Sequence, residues 1–336
     1  MGVGGTGRLG GLDTLRGIAA LCIVAFHALM LATRDFGIGK AYLAVDFFFV
    51  LSGYLMARTY EHRFAAGMGL RAFMRVRLAR LYPFMLAGGL IGVLFLRQVM
   101  PDHWMQAAAF NLLLLPVLFG HLAFPLNVAS WSIFFELLAN ALHPLALARM
   151  RKGALIALLA LLGAMLVKLA MTRDIDVGGS PDTLLAAVPR VLFSYILGIL
   201  LWRQWGDAPP VRLPAWATFA AMPAFFVGVW AAGVTGGWAD LIFVFVVSPV
   251  LLIGGLSARG GRVGAAMGAL SFPLYAVQMP VLELSHRAGW PMAACVAMCV
   301  AVAGVLAAVP MLARRVRQGA GGGGAAAERY SLSRCD

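Results

Sequence analysis

Two ionisable side chains, Arg16 and His27, sit eleven residues apart in the apolar stretch LDTLRGIAALCIVAFHAL. Eleven helical steps of about 100° come to about 1100°, roughly 20° past three full turns, over a rise of about 16.5 Å. One helical stripe therefore carries a guanidinium near one end and an imidazole well inside. An anionic head held by the guanidinium would lay a long arm along the stripe, ending at a group that titrates near neutrality and can act as a base. A histidine in an apolar helix also serves as an interhelical hydrogen-bond partner, and the sequence leaves both readings open.

Other polar groups fall in apolar surroundings. Glu136 lies six residues into WSIFFELLANALHP, about 9 Å deep. His27 is the same number of residues from the far end of its own stretch, so the two are expected at matched depth, with the carboxylate orienting the imidazole. Trp131 is either an interface anchor or a ring facing a sugar. Asp46, in YLAVDFFFVLSGYLMA, has no visible partner, while Ser52 and Gly53 permit close helix contact. In EHRFAAGMGLRAFMRVRLARLYP, Arg71 shares a helical face with Arg75, and Arg77 shares one with Arg80. These arginines read either as an interfacial amphipathic helix on anionic lipid or as a dock for the phosphates of a cofactor. Lys168, Arg173 and Arg190, near the ends of spans, read as snorkelling cations.

The elements that must position these groups are membrane spans. The chain has 336 residues, 62% of them hydrophobic and 12% charged, where soluble domains run near half apolar and a quarter charged. Apolar stretches lie at about 12–33, 41–58, 81–100, 131–148, 153–171, 183–202, 215–234, 238–257, 265–285 and 291–313, each long enough to cross roughly 30 Å of hydrocarbon. The expected fold is all-α, a polytopic membrane helical bundle of about ten transmembrane helices. The net charge of +13 does not indicate nucleic acid, because the basic residues cluster in the short segments between spans. With ten spans and a cytoplasmic N-terminus, only Arg34, Lys40, Arg97, Lys168, Arg173, Arg190 and Arg287 of the 27 basic residues fall outside the cytoplasmic segments and tail. Eleven spans would reverse the 149–152 and 259–262 clusters, against the positive-inside rule. The segment at about 107–127, holding Asn111, Pro116, Gly120 and Pro125, is then re-entrant or an outer-surface loop. The expected organisation is a cytoplasmic N-terminus (1–11), a transmembrane domain (12–313) and a disordered Gly/Ala-rich cytoplasmic tail (314–336). Cys22, Cys295, Cys299 and Cys335 show no disulfide or zinc spacing, and no metal is expected.

These strings resemble the acyltransferase-3 family of integral membrane acyltransferases over nearly all of residues 12–313. The resemblance rests on the opening helix with Arg16 and His27, on VDFFFVLSGYL with Asp46, Ser52 and Gly53, on RLARLYP with Arg77 and Arg80, and on WSIFFELLAN with Trp131, Glu136 and Asn140. Weaker echoes are PRVLFSYILGILL with Arg190 and LSFPLYAVQMP with Ser271 and Tyr275. The resemblance implies an O-acyltransferase of the bacterial inner membrane, both termini cytoplasmic, that moves an acyl group, usually acetyl. The donor would be cytoplasmic acetyl-CoA. The acceptor would be an extracytoplasmic carbohydrate: O-antigen, exopolysaccharide or a lipid-linked sugar. It implies a catalytic His27 and donor-binding arginines at Arg16, Arg77 and Arg80. Asp46, Ser52, Trp131, Asn140 and Arg190 are expected to support the site. Two departures stand out. Gln278 occupies the late position where many members carry histidine, and no segment is long enough for the extracytoplasmic hydrolase-like domain fused to some relatives. Transfer is expected within the membrane domain or through a separate extracytoplasmic partner. A transporter or flippase using the same charged stripe is the alternative, although no internal repeat is visible.

Overall fold

The computed structural model describes residues 9–33 and 40–309, so most of the expected N-terminal segment and the whole tail from 314 lie outside the described residues. All regular structure among the described residues is helical. The principal helices are α1 (Gly10–Thr33), α2 (Ala44–Ala65), α3 (Leu70–Val99), α4 (Trp104–Leu112), α5 (Ser130–Leu145), α6 (Lys152–Ala170), α7 (Ala187–Trp205), α8 (Ala215–Ala231), α9 (Trp238–Ser257), α10 (Gly261–Arg287) and α11 (Met292–Val309). Seven of these, α1, α2, α3, α6, α9, α10 and α11, are long and apolar enough to cross a membrane. The chain is a multi-pass membrane protein. The remaining long helices, α5, α7 and α8, are shorter or carry buried charge and pack alongside them.

Contacts between helices fix their directions. Gly10 lies against Gly260, Gly17 against Met267, and His27 faces Gln278, so α1 and α10 run parallel. Phe84 meets Phe272 edge-on and Arg287 reaches Gln98, which sets α3 parallel to both. Asp46 pairs with Arg190 and Glu61 with Arg203, so α2 and α7 share the opposite direction. Glu136 meets Ser52 while His143 meets Glu61, which adds α5 to that set. Because α3 and α5 oppose each other, the segment joining them leaves and returns on one side of the bundle. It is re-entrant. Helix α4 descends beside α3 until the Tyr82 hydroxyl donates to the Leu112 carbonyl at 3.0 Å. The chain turns there, Leu114 taking a left-handed φ of 57°. Asn111 secures the irregular backbone, donating to the Leu115 and Ala123 carbonyls and accepting from the Leu126 N–H. Non-helical backbone is tolerated at such depth when its polar groups are paired inside the protein.

Two boundaries differ from the sequence expectation. The arginine-rich stretch from residue 70 and the apolar stretch from 81 form one 30-residue helix, α3, running through Pro83. Helix α5 has only 16 residues, because the re-entrant segment delivers its first residue well inside the bundle. The end of the bundle where α1, α3 and α10 begin collects Arg16, Arg58, Arg71, Arg75 and Arg203, and is called the basic face below.

Candidate active site

The chemistry-bearing residues gather where α1, α2, α3, α5 and α10 converge. A cavity of about 90 Å³ opens there, lined by Arg16 of α1, Ser52 of α2, Arg77 and Arg80 of α3, Ser132 and Glu136 of α5, and Ser271 and Tyr275 of α10. Phe48, Phe49, Leu55 and Phe272 supply its apolar surface. Such a volume holds several water molecules. Three guanidinium groups face it against a single carboxylate.

That carboxylate is tied to the basic face. Glu136 Oε1 accepts from Arg77 Nη2 at 2.7 Å and from Ser52 Oγ at 2.8 Å. Arg77 is 4% exposed, and its Nε has no hydrogen-bond partner. Arg16 interacts with Asp13 one turn earlier, Nη1 to Oδ1 at 3.4 Å. Ser132 Oγ and the Tyr275 hydroxyl are 2.6 Å apart, and both also reach the Ala129 carbonyl.

His27 lies on the same helix as Arg16 but is not among the residues lining this cavity. The ring is half-buried, and its Nδ1 is closed off from solvent without a hydrogen-bond partner. Phe26 and Gln278 are its neighbours. The fully buried Gln278 amide also has neither Oε1 nor Nε2 in a hydrogen bond of normal geometry. Tyr275, three residues before Gln278 on α10, lines the cavity and is edge-on to Phe48 at 5.9 Å.

The expected matching of His27 and Glu136 in depth is corrected by these contacts. Glu136 lies four residues beyond Ser132, which meets Tyr275, and Tyr275 precedes Gln278 by three. Seven steps at 1.5 Å separate imidazole and carboxylate by about 10 Å along the helix axes. The expectation placed the start of α5 at the outer surface, whereas the re-entrant segment starts it deep. Glu136 therefore orients Arg77, and Gln278 is the polar group facing His27.

The supporting residues divide into two networks. On the side opposite the basic face, Asp46 does have a partner. Arg190 donates to it through Nε at 3.1 Å and Nη2 at 2.7 Å, with both side chains 0% exposed. Arg190 is thus buried rather than snorkelling, and its Nη1 holds the Ile175 carbonyl at 2.8 Å. The same guanidinium lies over the rings of Tyr42 and Trp131. Trp131 is covered by Arg190 and by the loop at Gly178, so its ring is neither an interface anchor nor an open sugar platform. Lys40 and Asp240 form a second ion pair at 2.8 Å, with Tyr42 and the Ile175 N–H donating to Asp240.

Toward the basic face, Asn140 accepts from the Tyr195 hydroxyl at 3.1 Å. That hydroxyl also meets His143 Nδ1 at 2.9 Å, while His143 Nε2 faces Glu61 at 3.4 Å. Arg203 closes the chain onto Glu61 and onto the carbonyls of Leu147, Ala148 and Met150. Sequence reasoning missed this network. Its signal was the i, i+4, i+7 spacing of Glu136, Asn140 and His143, which puts three polar groups on one face of α5.

Comparison with known proteins agrees with this architecture. The profile of an acyltransferase domain, that of the acyltransferase-3 family, matches residues 9–313. A protein of Rhizobium radiobacter described as "Protein 2 in picA locus" is 36% identical over 155 residues, 39% of this chain and 78% of that protein. No solved structure matches. With a match that runs through every helix described above, the chain belongs to the acyltransferase-3 family and is a membrane acyltransferase.

Proposed function

We propose that the protein carries an acyl group, in the first instance acetyl, from acyl-CoA at the basic, cytoplasmic face to a hydroxyl of an extracytoplasmic carbohydrate across the bacterial inner membrane. The observation carrying this reading is the cavity with three arginines and one carboxylate, one of whose arginines, Arg16, shares a helical stripe with His27. Guanidinium forks suit phosphate oxygens, and the excess of positive charge suits a polyanionic donor. Arg16, Arg77 and Arg80 hold the CoA phosphates, with Glu136 and Ser52 fixing the direction of Arg77. From there an extended thioester arm of about 16 Å reaches the depth of His27.

In the transfer step, the acceptor hydroxyl oxygen attacks the thioester carbonyl while the imidazole takes the hydroxyl proton. The C–S bond then breaks, and the departing thiolate takes that proton back, leaving ester and free CoA. On its way toward the imidazole the arm passes Phe48 and Tyr275, which line the cavity. Asp46, Arg190 and Trp131 hold the acceptor side, and Asn140 supports the donor side.

The test is transfer from radiolabelled acetyl-CoA to carbohydrate in proteoliposomes. His27→Ala is expected to lower the rate by about 10²- to 10⁴-fold, the usual contribution of a positioned base. Undiminished transfer by the variant ends the assignment.

A further inference from the structure

The re-entrant segment turns back part-way through the bundle, so no helix fills the space between its tip and the basic face. A groove of about 930 Å³ lies there, separate from the arginine-lined cavity. Its walls are Leu78 and Tyr82 of α3 and Leu138 of α5, and its roof is the turn at Leu113–Leu115. Arg71 and Arg75 stand at its lower end. From Arg71 to Tyr82 is eleven residues, about 16 Å, or roughly half of a 30 Å hydrocarbon core. That length matches one leaflet. Its lining is almost entirely apolar except for the two arginines, which are exposed, lie in the first two turns of α3, and have no carboxylate partner among the described residues.

We propose that this groove is a binding site for one anionic diacyl phospholipid of the leaflet at the basic face. Its phosphate sits between Arg71 and Arg75, and one acyl chain lies beneath the re-entrant turn, against Leu78, Tyr82 and Leu138. Charge complementarity selects the head group: two guanidinium groups one turn apart present converging donors to phosphate oxygens at head-group depth. The apolar lining selects the tail, since water in that space would meet no polar partners. A bound chain also packs the underside of a backbone turn whose own helix, α4, is only 9 residues long.

The test uses the full chain, purified in mild detergent, with lipid retention read by native mass spectrometry during titration with phosphatidylglycerol or phosphatidylcholine. One phosphatidylglycerol per chain is expected to be retained in preference to phosphatidylcholine. The double variant Arg71→Gln, Arg75→Gln is expected to weaken it roughly tenfold, whereas the Arg71→Lys, Arg75→Lys pair, which keeps the charges, retains it. Leu138→Trp, which fills the groove without touching the head-group site, is expected to release the lipid as well. Equal retention of the two lipids overturns the proposal, as does retention unaffected by either the Gln pair or Leu138→Trp. Displacement of the lipid by equimolar glycerol phosphate, or a dimer closed across the groove, also overturns it.

Discussion

The residue whose surroundings carry most consequence is Arg77, nearly buried and facing Glu136 at 2.7 Å. Removing one partner of such a pair leaves an uncompensated charge, typically at a cost of about 3–5 kcal/mol. Glu136→Leu is therefore expected to lower thermal stability sharply, as read by unfolding in detergent. The double variant Arg77→Met, Glu136→Leu is expected to recover much of that loss while still failing to bind donor. Recovery of both stability and binding would show that Arg77 has no part in holding phosphate. Gln278 gives the complementary case. Its amide faces the His27 ring, so Gln278→Leu is expected to leave folding and the KM for the donor in place and to lower kcat by about tenfold through loss of ring orientation. Steady-state kinetics separates the two constants, and a change confined to KM would contradict a positioning role.

Among the elements, α2 and α7 pack backbone to backbone through two glycines. Gly53 rests on the Tyr195 carbonyl, and Gly198 rests on the Val50 carbonyl. A methyl group at either glycine meets backbone, which cannot rotate away. Gly53→Ala is expected to destabilise the protein by about 1–3 kcal/mol, measurable by thermal unfolding, whereas Gly153→Ala on the exposed start of α6 is expected to have little effect, its Cβ position being open. Helix existence was legible in the sequence because apolar runs and basic clusters are written locally. That the 107–127 segment does not cross was legible too, through the parity that the arginines impose, although its re-entry was not distinguished there from an outer-surface loop. The start of α5 was not, because its depth depends on how far α4 descends before Leu114 turns the chain. From that one unreadable quantity followed the expected pairing of His27 with Glu136. Asp46 was visible as a costly charge without a partner, while Arg190, 144 residues away, read as a snorkelling cation; only the parallel packing of α2 on α7 reveals that they neutralise each other.

At the scale of the whole molecule, the charged groups are separated by face. The three arginines of the cavity lie toward one end and the Asp46–Arg190 and Lys40–Asp240 pairs toward the other. Vectorial transfer follows if the proposed function holds. In sealed proteoliposomes containing a single orientation of the protein, product is expected only when acetyl-CoA is supplied on the side of the basic face, with acceptor on the opposite side. Equal yield from either placement of the donor would contradict it. The glycine contacts set a mechanical condition on that traffic. Gly53 and Gly198 bolt α2 to α7, and Gly88 bolts α3 to α10 at the Ala276 carbonyl. Backbone joints of this type resist axial sliding, since one residue of slip drives a side chain into a carbonyl. The bundle therefore behaves as two stiff beams, α2–α7 and α3–α10, and the arginine-lined chamber is the gap between them. If the proposed donor enters there, the gap is expected to widen, and α5, which reaches both beams through Glu136, then sets how far they part.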